Sequence, residues 1–221
     1  MRHEVVAIDG PAGAGKSTVA RRLAERLGWG YLPSGNFYRA LAWRALADGT
    51  PLDDEMAVAA LAASVDIDVR RAGDGWRTVV DSRDVTAELN GSAVADAASR
   101  ISVFPRVRER MVALQRRAGE RGPVVAEGRD MASVVFPAAE HKLYLDASVA
   151  ERARRRARDL RALGEDADEE RLAAEIAARD ARDSSRAAAP LRQVAGAVRI
   201  DTTDLTIEEV VERLLQEIGR R

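Results

Sequence analysis

Gly10-Pro11-Ala12-Gly13-Ala14-Gly15-Lys16-Ser17-Thr18 puts backbone freedom, one cation and two hydroxyls into a single short run. The spacing fits G-x-x-x-x-G-K-[ST]. Glycines let successive backbone N–H groups turn inward and form a concave anion site. A helical pattern from Ser17 to Leu27 follows, so a helix N-terminus aims its partial positive charge at the same place. Val5 to Ile8 reads as a buried strand before the turn, which completes the strand–loop–helix context the motif needs. Lys16 can then reach the β- and γ-phosphates of ATP, and the Ser17 hydroxyl can serve Mg²⁺ directly or through water. Lys16 and Lys142 are the two lysines of the chain, every other basic side chain being arginine. A lysine in the loop therefore answers a chemical need and not compositional drift.

A phosphate loop does not say where the phosphate goes. Four further motifs carry arginines: Tyr31-Leu-Pro-Ser34-Gly35-Asn-Phe-Tyr38-Arg39, Phe104-Pro-Arg106-Val-Arg108, Glu127-Gly128-Arg129-Asp130, and Arg179-Asp180-Ala-Arg182-Asp183-Ser-Ser-Arg186. Guanidinium forks match phosphate oxygens bidentately, so this pattern points to a second anionic substrate. Arg182 and several of Arg152 to Arg156 read instead as solvated helix faces paired with neighbouring acids. Trp29, Trp43 and Trp76 read as packing residues.

Composition removes other chemistries. The 35 basic and 36 acidic residues balance to a net charge of -1, which gives no reason to expect a nucleic-acid partner. Without cysteine there is no disulfide, thiolate nucleophile or cysteine zinc site. His3 and His141 lie too far apart in sequence to read as a metal pair. No apolar run reaches the length of a signal core or membrane span, so the expected location is the cytoplasm, with no membrane partner.

At these motifs the chain resembles the cytidylate kinase family over nearly its full length. The likeness rests on the phosphate loop, S-G-x-x-Y-R from Ser34 to Arg39, and A-S-x-x-x-x-F-P-x-V-R from Ala98 to Arg108. G-R-D-M, V-V-F-P, L-D-A-S and the C-terminal I-E-E-V-V follow in order. The resemblance implies transfer of the γ-phosphate of ATP to CMP or dCMP, with Mg²⁺; the expected state is a monomer. It implies Lys16, Arg129 and Arg179 as catalytic residues. Arg39, Arg129 and Arg179 would hold the acceptor phosphate, Ser99, Arg108 and Asp130 the cytosine edge, and Asp183 and Arg186 the ribose, with Ser34 adding a hydroxyl. Arg155 or Arg156 would reach the transferring phosphate. The family's usual acid before the S-G pair is Pro33 here, and Glu127 is the candidate to replace it near Mg²⁺. Rival readings are a kinase for UMP, AMP or shikimate, an ATP-binding switch without transfer, and an RNA-associated phosphate-loop protein. The first lacks reason for the inserted hairpin; the second would not need four arginine motifs; the balanced charge disfavours the third.

The elements that must position these groups alternate. Strands at Val5 to Ile8, Tyr31-Leu32, Val124 to Ala126, Lys142 to Leu145 and Val198 to Ile200 are separated by helical patterns. Those patterns cover Ser17 to Leu27, Phe37 to Ala47, Glu55 to Ala63, Val107 to Ala118, Val149 to Leu163, Glu169 to Arg182 and Ile207 to Ile218. This predicts a doubly wound α/β core. Val65, Ile67 and Val69, a turn at Gly73-Asp74-Gly75, and Trp76, Thr78 and Val80 alternate with period two, with a third strand at Asp84 to Thr86. The resemblance implies a parallel five-stranded sheet of the P-loop NTPase type, ordered 2-3-1-4-5, with helices on both faces. It also implies a division into a core (1–63, 104–150, 187–221), a monophosphate-binding antiparallel β insert (64–103) and a helical lid (151–186).

Overall fold

The computed structural model describes residues 4–73, 75–162, 164–186 and 189–219. His3, the hairpin-turn residue Asp74, Leu163 and the expected division ends 1, 187 and 221 lie outside them. The chain runs β1 (Val5–Asp9), α1 (Lys16–Leu27), β2 (Gly30–Pro33), α2 (Ser34–Asp48), α3 (Glu55–Ser64), β3 (Ile67–Ala72), β4 (Gly75–Val80) and β5 (Arg83–Asp84). After a single 3-10 turn (Glu88–Asn90) come α4 (Ser92–Ile101), α5 (Pro105–Gly119) and β6 (Val124–Gly128). A π-helical turn (Met131–Val135), β7 (His141–Asp146), α6 (Val149–Ala162), α7 (Glu169–Ser185), β8 (Val198–Asp201) and α8 (Ile207–Gly219) complete it.

The main sheet is five-stranded and parallel, in the order β2-β6-β1-β7-β8. Counted along the chain this is the order 2-3-1-4-5, as expected. A second sheet is antiparallel, ordered β3-β4-β5, with Ile67 opposite Val80, Val69 opposite Thr78 and Arg71 opposite Trp76. The period-two residues of the sequence thus face one another across the hairpin. Each predicted strand and helix is present within a few residues. The sequence reading had no helix at α4, whose stripe Val94, Ala97, Ala98 and Ile101 is buried.

By compactness the chain divides into two units, residues 4–29 with 125–219 and residues 30–124. The predicted insert falls within the second unit and the predicted lid within the first.

In the first unit, β1 pairs β7 with Val6 opposite His141, and β7 pairs β8 with Leu143 opposite Val198. Val6, Ala7 and Ile8 are fully buried, which explains why that strand reads as one apolar run. Arg26 of α1 pairs with Glu212 of α8 on the outside. In the second unit, Asp54 caps α3 by accepting from the backbone N–H groups of Met56 and Ala57, and Pro105 occupies the first turn of α5. Tyr31 and Trp76 meet edge to face at 5.9 Å, so this tryptophan packs, as expected. No helix among the described residues is long and apolar enough to cross a membrane.

Candidate active site

The phosphate loop leaves β1 at Gly10, whose φ is 153°. A Cβ there would stand 1.9 Å from the Leu145 carbonyl oxygen of β7, so only glycine lets the chain turn at this point. Gly13 and Gly15 follow in left-handed conformations, and α1 begins directly after the second. Pro11 and Ala14 are buried, Ala12 and Gly15 are half-buried, and Gly13, Ser17 and Thr18 face out.

Lys16 is 4% exposed and donates from Nζ to the Pro11 carbonyl at 2.6 Å. Burial pushes its pKa down to about 7, and the neighbouring guanidinium charges of Arg129 and Arg179 push the same way; Glu127 and Asp9 oppose them. The charges of Arg129 and Arg179 are thus felt at Lys16, an environment that a multiply charged phosphate relieves.

Ser17 Oγ donates to Glu127 Oε1 at 2.9 Å, and Glu127 is buried. A hydroxyl and a carboxylate side by side are hard oxygen donors of the kind Mg²⁺ prefers. Among the described residues no group of three or more acids or histidines is arranged to hold a metal. Such a pair suits an ion that keeps waters and takes its other ligands from a nucleotide.

Beyond β6, Arg129 donates from Nε to Asp183 Oδ2 at 2.9 Å, and Asp183 also pairs with Arg186. Burial pulls the Asp183 carboxyl upward, but Arg129 and then Arg186 outweigh it, leaving its pKa below the ordinary value. Arg179 and Asp183 stand four residues apart on α7 and so share a face, with Arg186 just past the helix end. Asp130 is buried and opens the turn Met131–Val135. Asp9, the last residue of β1, accepts from the backbone N–H groups of Met131 at 2.7 Å and Ala132 at 2.9 Å. Burial raises the Asp9 pKa to about 6 against those two bonds, with Asp130 adding to the rise.

The first unit thus gathers Lys16, Ser17, Arg129, Asp130, Arg179, Asp183 and Arg186. The unit 30–124 gathers the others in two places. Ser34 is buried at the start of α2, its carbonyl accepting from Gln115 Nε2 at 3.4 Å, and Arg39 donates to the Leu89 carbonyl at 2.9 Å. Arg108, also buried, donates to the Ser102 carbonyl at 3.1 Å and lies 5.9 Å from the centroid of the Tyr38 ring. Ser102 Oγ in turn donates to the Ser99 carbonyl at 2.9 Å. Ser99 and Arg108 are joined through one intervening residue.

Of the arginines of α6, Arg152 is the one the sequence leaves among the solvated faces and the structure covers, while Arg155 is already a candidate. Arg152 is buried, with Nε donating to the Ala147 carbonyl and Nη1 to the Ala12 carbonyl of the phosphate loop, each at 2.9 Å; Nη1 also pairs with Asp180 at 2.6 Å. Arg155 pairs with Glu151 at 3.0 Å and donates to the Thr202 carbonyl and hydroxyl. The flanking Arg154, Arg156 and Arg182 are exposed, as a solvated face requires. The usable signal was the stripe Arg152, Ala153 and Ala157, whose alanines are buried and place Arg152 on the covered side.

A glycine loop between β1 and α1, a buried lysine, and a parallel sheet in this order define a P-loop protein of the α/β kinase kind. The cytidylate kinase family model matches residues 6–220, and the chain belongs to the cytidylate kinase family. It is 49% identical to the cytidylate kinase of Geobacillus kaustophilus strain HTA426, covering 98% of this chain and 96% of that one. It is 46% identical to the cytidylate kinase of Symbiobacterium thermophilum, covering 99% and 97%. Among solved structures, an uncharacterized protein from Eubacterium ventriosum shares the fold at a TM-score of 0.55 and 10% identity, covering 99% of each chain.

Proposed function

We propose that this chain transfers the γ-phosphate of ATP to CMP, and to dCMP, releasing ADP with CDP or dCDP in pyrimidine nucleotide metabolism. The observation that carries the reading is that the charges of Arg129 and Arg179 act on the buried Lys16 of the phosphate loop. A loop that only stored a nucleotide would gain nothing from two further cations beside its lysine. A transferring phosphoryl group, with charge spread over its oxygens, gains from all three.

In this reading Gly10 to Thr18 hold the triphosphate. Arg39, Arg129 and Arg179 grip the acceptor phosphate, and Asp183 and Arg186 hold the ribose. Ser99, Arg108 and Asp130 read cytosine: a carboxylate accepts from the N4 amino group, and guanidinium and hydroxyl groups donate to ring acceptors. Ser34 adds a hydroxyl for the acceptor. No strong base is needed, because the acceptor phosphate is already a nucleophilic oxyanion; alignment and charge neutralisation lower the barrier. Ser17 and Glu127 would hold Mg²⁺, which supplies charge neutralisation on the triphosphate when bound. Residues 64–103 serve as the monophosphate-binding insert and 151–186 as the lid, where Arg155 is better placed than exposed Arg156. Gly15 supports that choice, since a Cβ there would lie 3.6 Å from the Arg155 guanidinium. The protein works as a cytoplasmic monomer without nucleic-acid or membrane partners.

The test is ADP release from ATP and Mg²⁺ with CMP, dCMP, UMP, AMP or shikimate supplied separately. CMP and dCMP are expected to give the largest kcat/KM. Slow hydrolysis indifferent to CMP would overturn the assignment.

A further inference from the structure

A phosphate cradle is made of backbone N–H groups, and the direction of each is tied to the carbonyl of the same peptide unit. A trans peptide is planar, so its C=O and N–H point to opposite sides. A donor that holds a loop carbonyl from outside therefore aims the next residue's N–H the other way, without meeting the nucleotide. Here the Pro11 carbonyl accepts from Lys16 Nζ at 2.6 Å, that of Ala12 from Arg152 Nη1 at 2.9 Å, and that of Ala14 from Thr202 Oγ1 at 3.3 Å.

The Arg152 bond is the one of these built to persist. Lys16 is the group that reaches for the triphosphate. The Thr202 hydroxyl has a single proton to share between the Ala14 carbonyl and the nearer Asp146 carbonyl at 3.0 Å. Arg152 has neither demand on it. It is 4% exposed, its Nε donates to the Ala147 carbonyl at 2.9 Å, and its Nη1 pairs with Asp180 Oδ2 at 2.6 Å. Gly13 lies against its stem, since a Cβ on that glycine would stand 3.0 Å from the Arg152 Cβ. The Ala12–Gly13 peptide unit is thus packed and hydrogen-bonded on the α6 side, and the Gly13 N–H is directed to the other.

We infer that Arg152 is a positioning residue for the donor site: by holding the Ala12 carbonyl it keeps the Gly13 N–H aimed at the phosphates, which it does not itself touch. The inference rests on the reading that this loop holds the ATP triphosphate.

The test is Arg152→Met, which keeps the stem against Gly13 and removes every donor. Its loss leaves the mostly buried Asp180 carboxylate without its cation. The double variant Arg152→Met/Asp180→Asn removes that charge and is measured alongside, so a fold lost in the single variant does not end the test. Calorimetric affinity for inorganic tripolyphosphate and for a non-hydrolysable ATP analogue should fall about tenfold, and equally, because a misdirected N–H costs the phosphates a charged hydrogen bond and the nucleoside nothing. Arg152→Lys, which can still serve one carbonyl, should recover part of the loss. KM for CMP should stay within about twofold of the parent's. The Gly13 amide resonance should move when tripolyphosphate is added to the parent, and move less in the variants. Weakened ATP analogue with unchanged tripolyphosphate would mean that Arg152 meets the nucleoside, and would overturn the inference. Equal rises in KM for ATP and CMP, the mark of a generally loosened protein, would overturn it too, as would unchanged affinity for both probes. A parent protein that binds neither probe would instead remove the donor-site reading itself, so the two failures are told apart.

Discussion

Arg129 is held by Asp183, and that carboxylate is shared with Arg186. The arrangement keeps a guanidinium fixed while its charge acts on the neighbourhood of Lys16. Arg129→Ala is therefore expected to lower kcat by about 100-fold or more while leaving ATP binding nearly intact, the pattern of an interaction made with the transferring group. Steady-state kinetics combined with titration of a non-hydrolysable ATP analogue decides it; a matching loss of ATP affinity would mean the two substrates are wrongly assigned. Glu127 presents a second case. Its carboxylate accepts from the Ser17 hydroxyl, so Glu127→Gln should raise the Mg²⁺ concentration for half-maximal activity by about tenfold. An unchanged Mg²⁺ requirement would remove Glu127 from the metal's surroundings.

At the scale of elements, α7 carries Arg179 and Asp183 and begins at Asp168, whose carboxylate accepts from the N–H groups of Glu170 and Arg171. Removing that cap with Asp168→Ala should cost about 1 kcal/mol in urea unfolding and leave KM for CMP unchanged, because the cap lies at the far end of the helix. Most elements were legible in the sequence for a simple reason. The buried strands are continuous apolar runs such as Val5 to Ile8, and helix limits are marked by residues with one local job, such as Asp54 and Pro105. Helix α4 is absent from the sequence reading although its buried Val94, Ala97, Ala98 and Ile101 fall at helical spacing. Arg152 carries one local mark, the stripe it shares with the buried Ala153 and Ala157, and its partner, the Ala12 carbonyl, is remote in sequence. Contacts across 122 and 140 residues, the cap that Asp9 gives to Met131 and the bond from Arg152 to the Ala12 carbonyl, are set by the sheet order and not by nearby sequence.

For the whole molecule, the buried Asp9 couples folding to pH. Its pKa is raised from 3.8 to about 6, so the folded state holds its proton more tightly than the unfolded chain does. The stability it contributes is full below about pH 3.8 and is lost as the pH rises through about 6, amounting to about 3 kcal/mol at most. Urea unfolding of the parent protein and Asp9→Asn at several pH values between about 4 and 8 should show their difference shifting against the parent as pH rises. Parallel curves would contradict it.

The unit 30–124 is one continuous stretch, while the other unit is assembled from both sides of it in the chain. At its two ends the Gly30 amide donates to the Pro123 carbonyl at 2.8 Å, so the stretch leaves and returns at nearly one point. A segment with joined ends behaves as a cassette: its exchange alters a loop of chain without stretching the host. A chimera carrying residues 30–124 from a relative with a different base preference should inherit part of that preference while keeping the recipient's affinity for ATP.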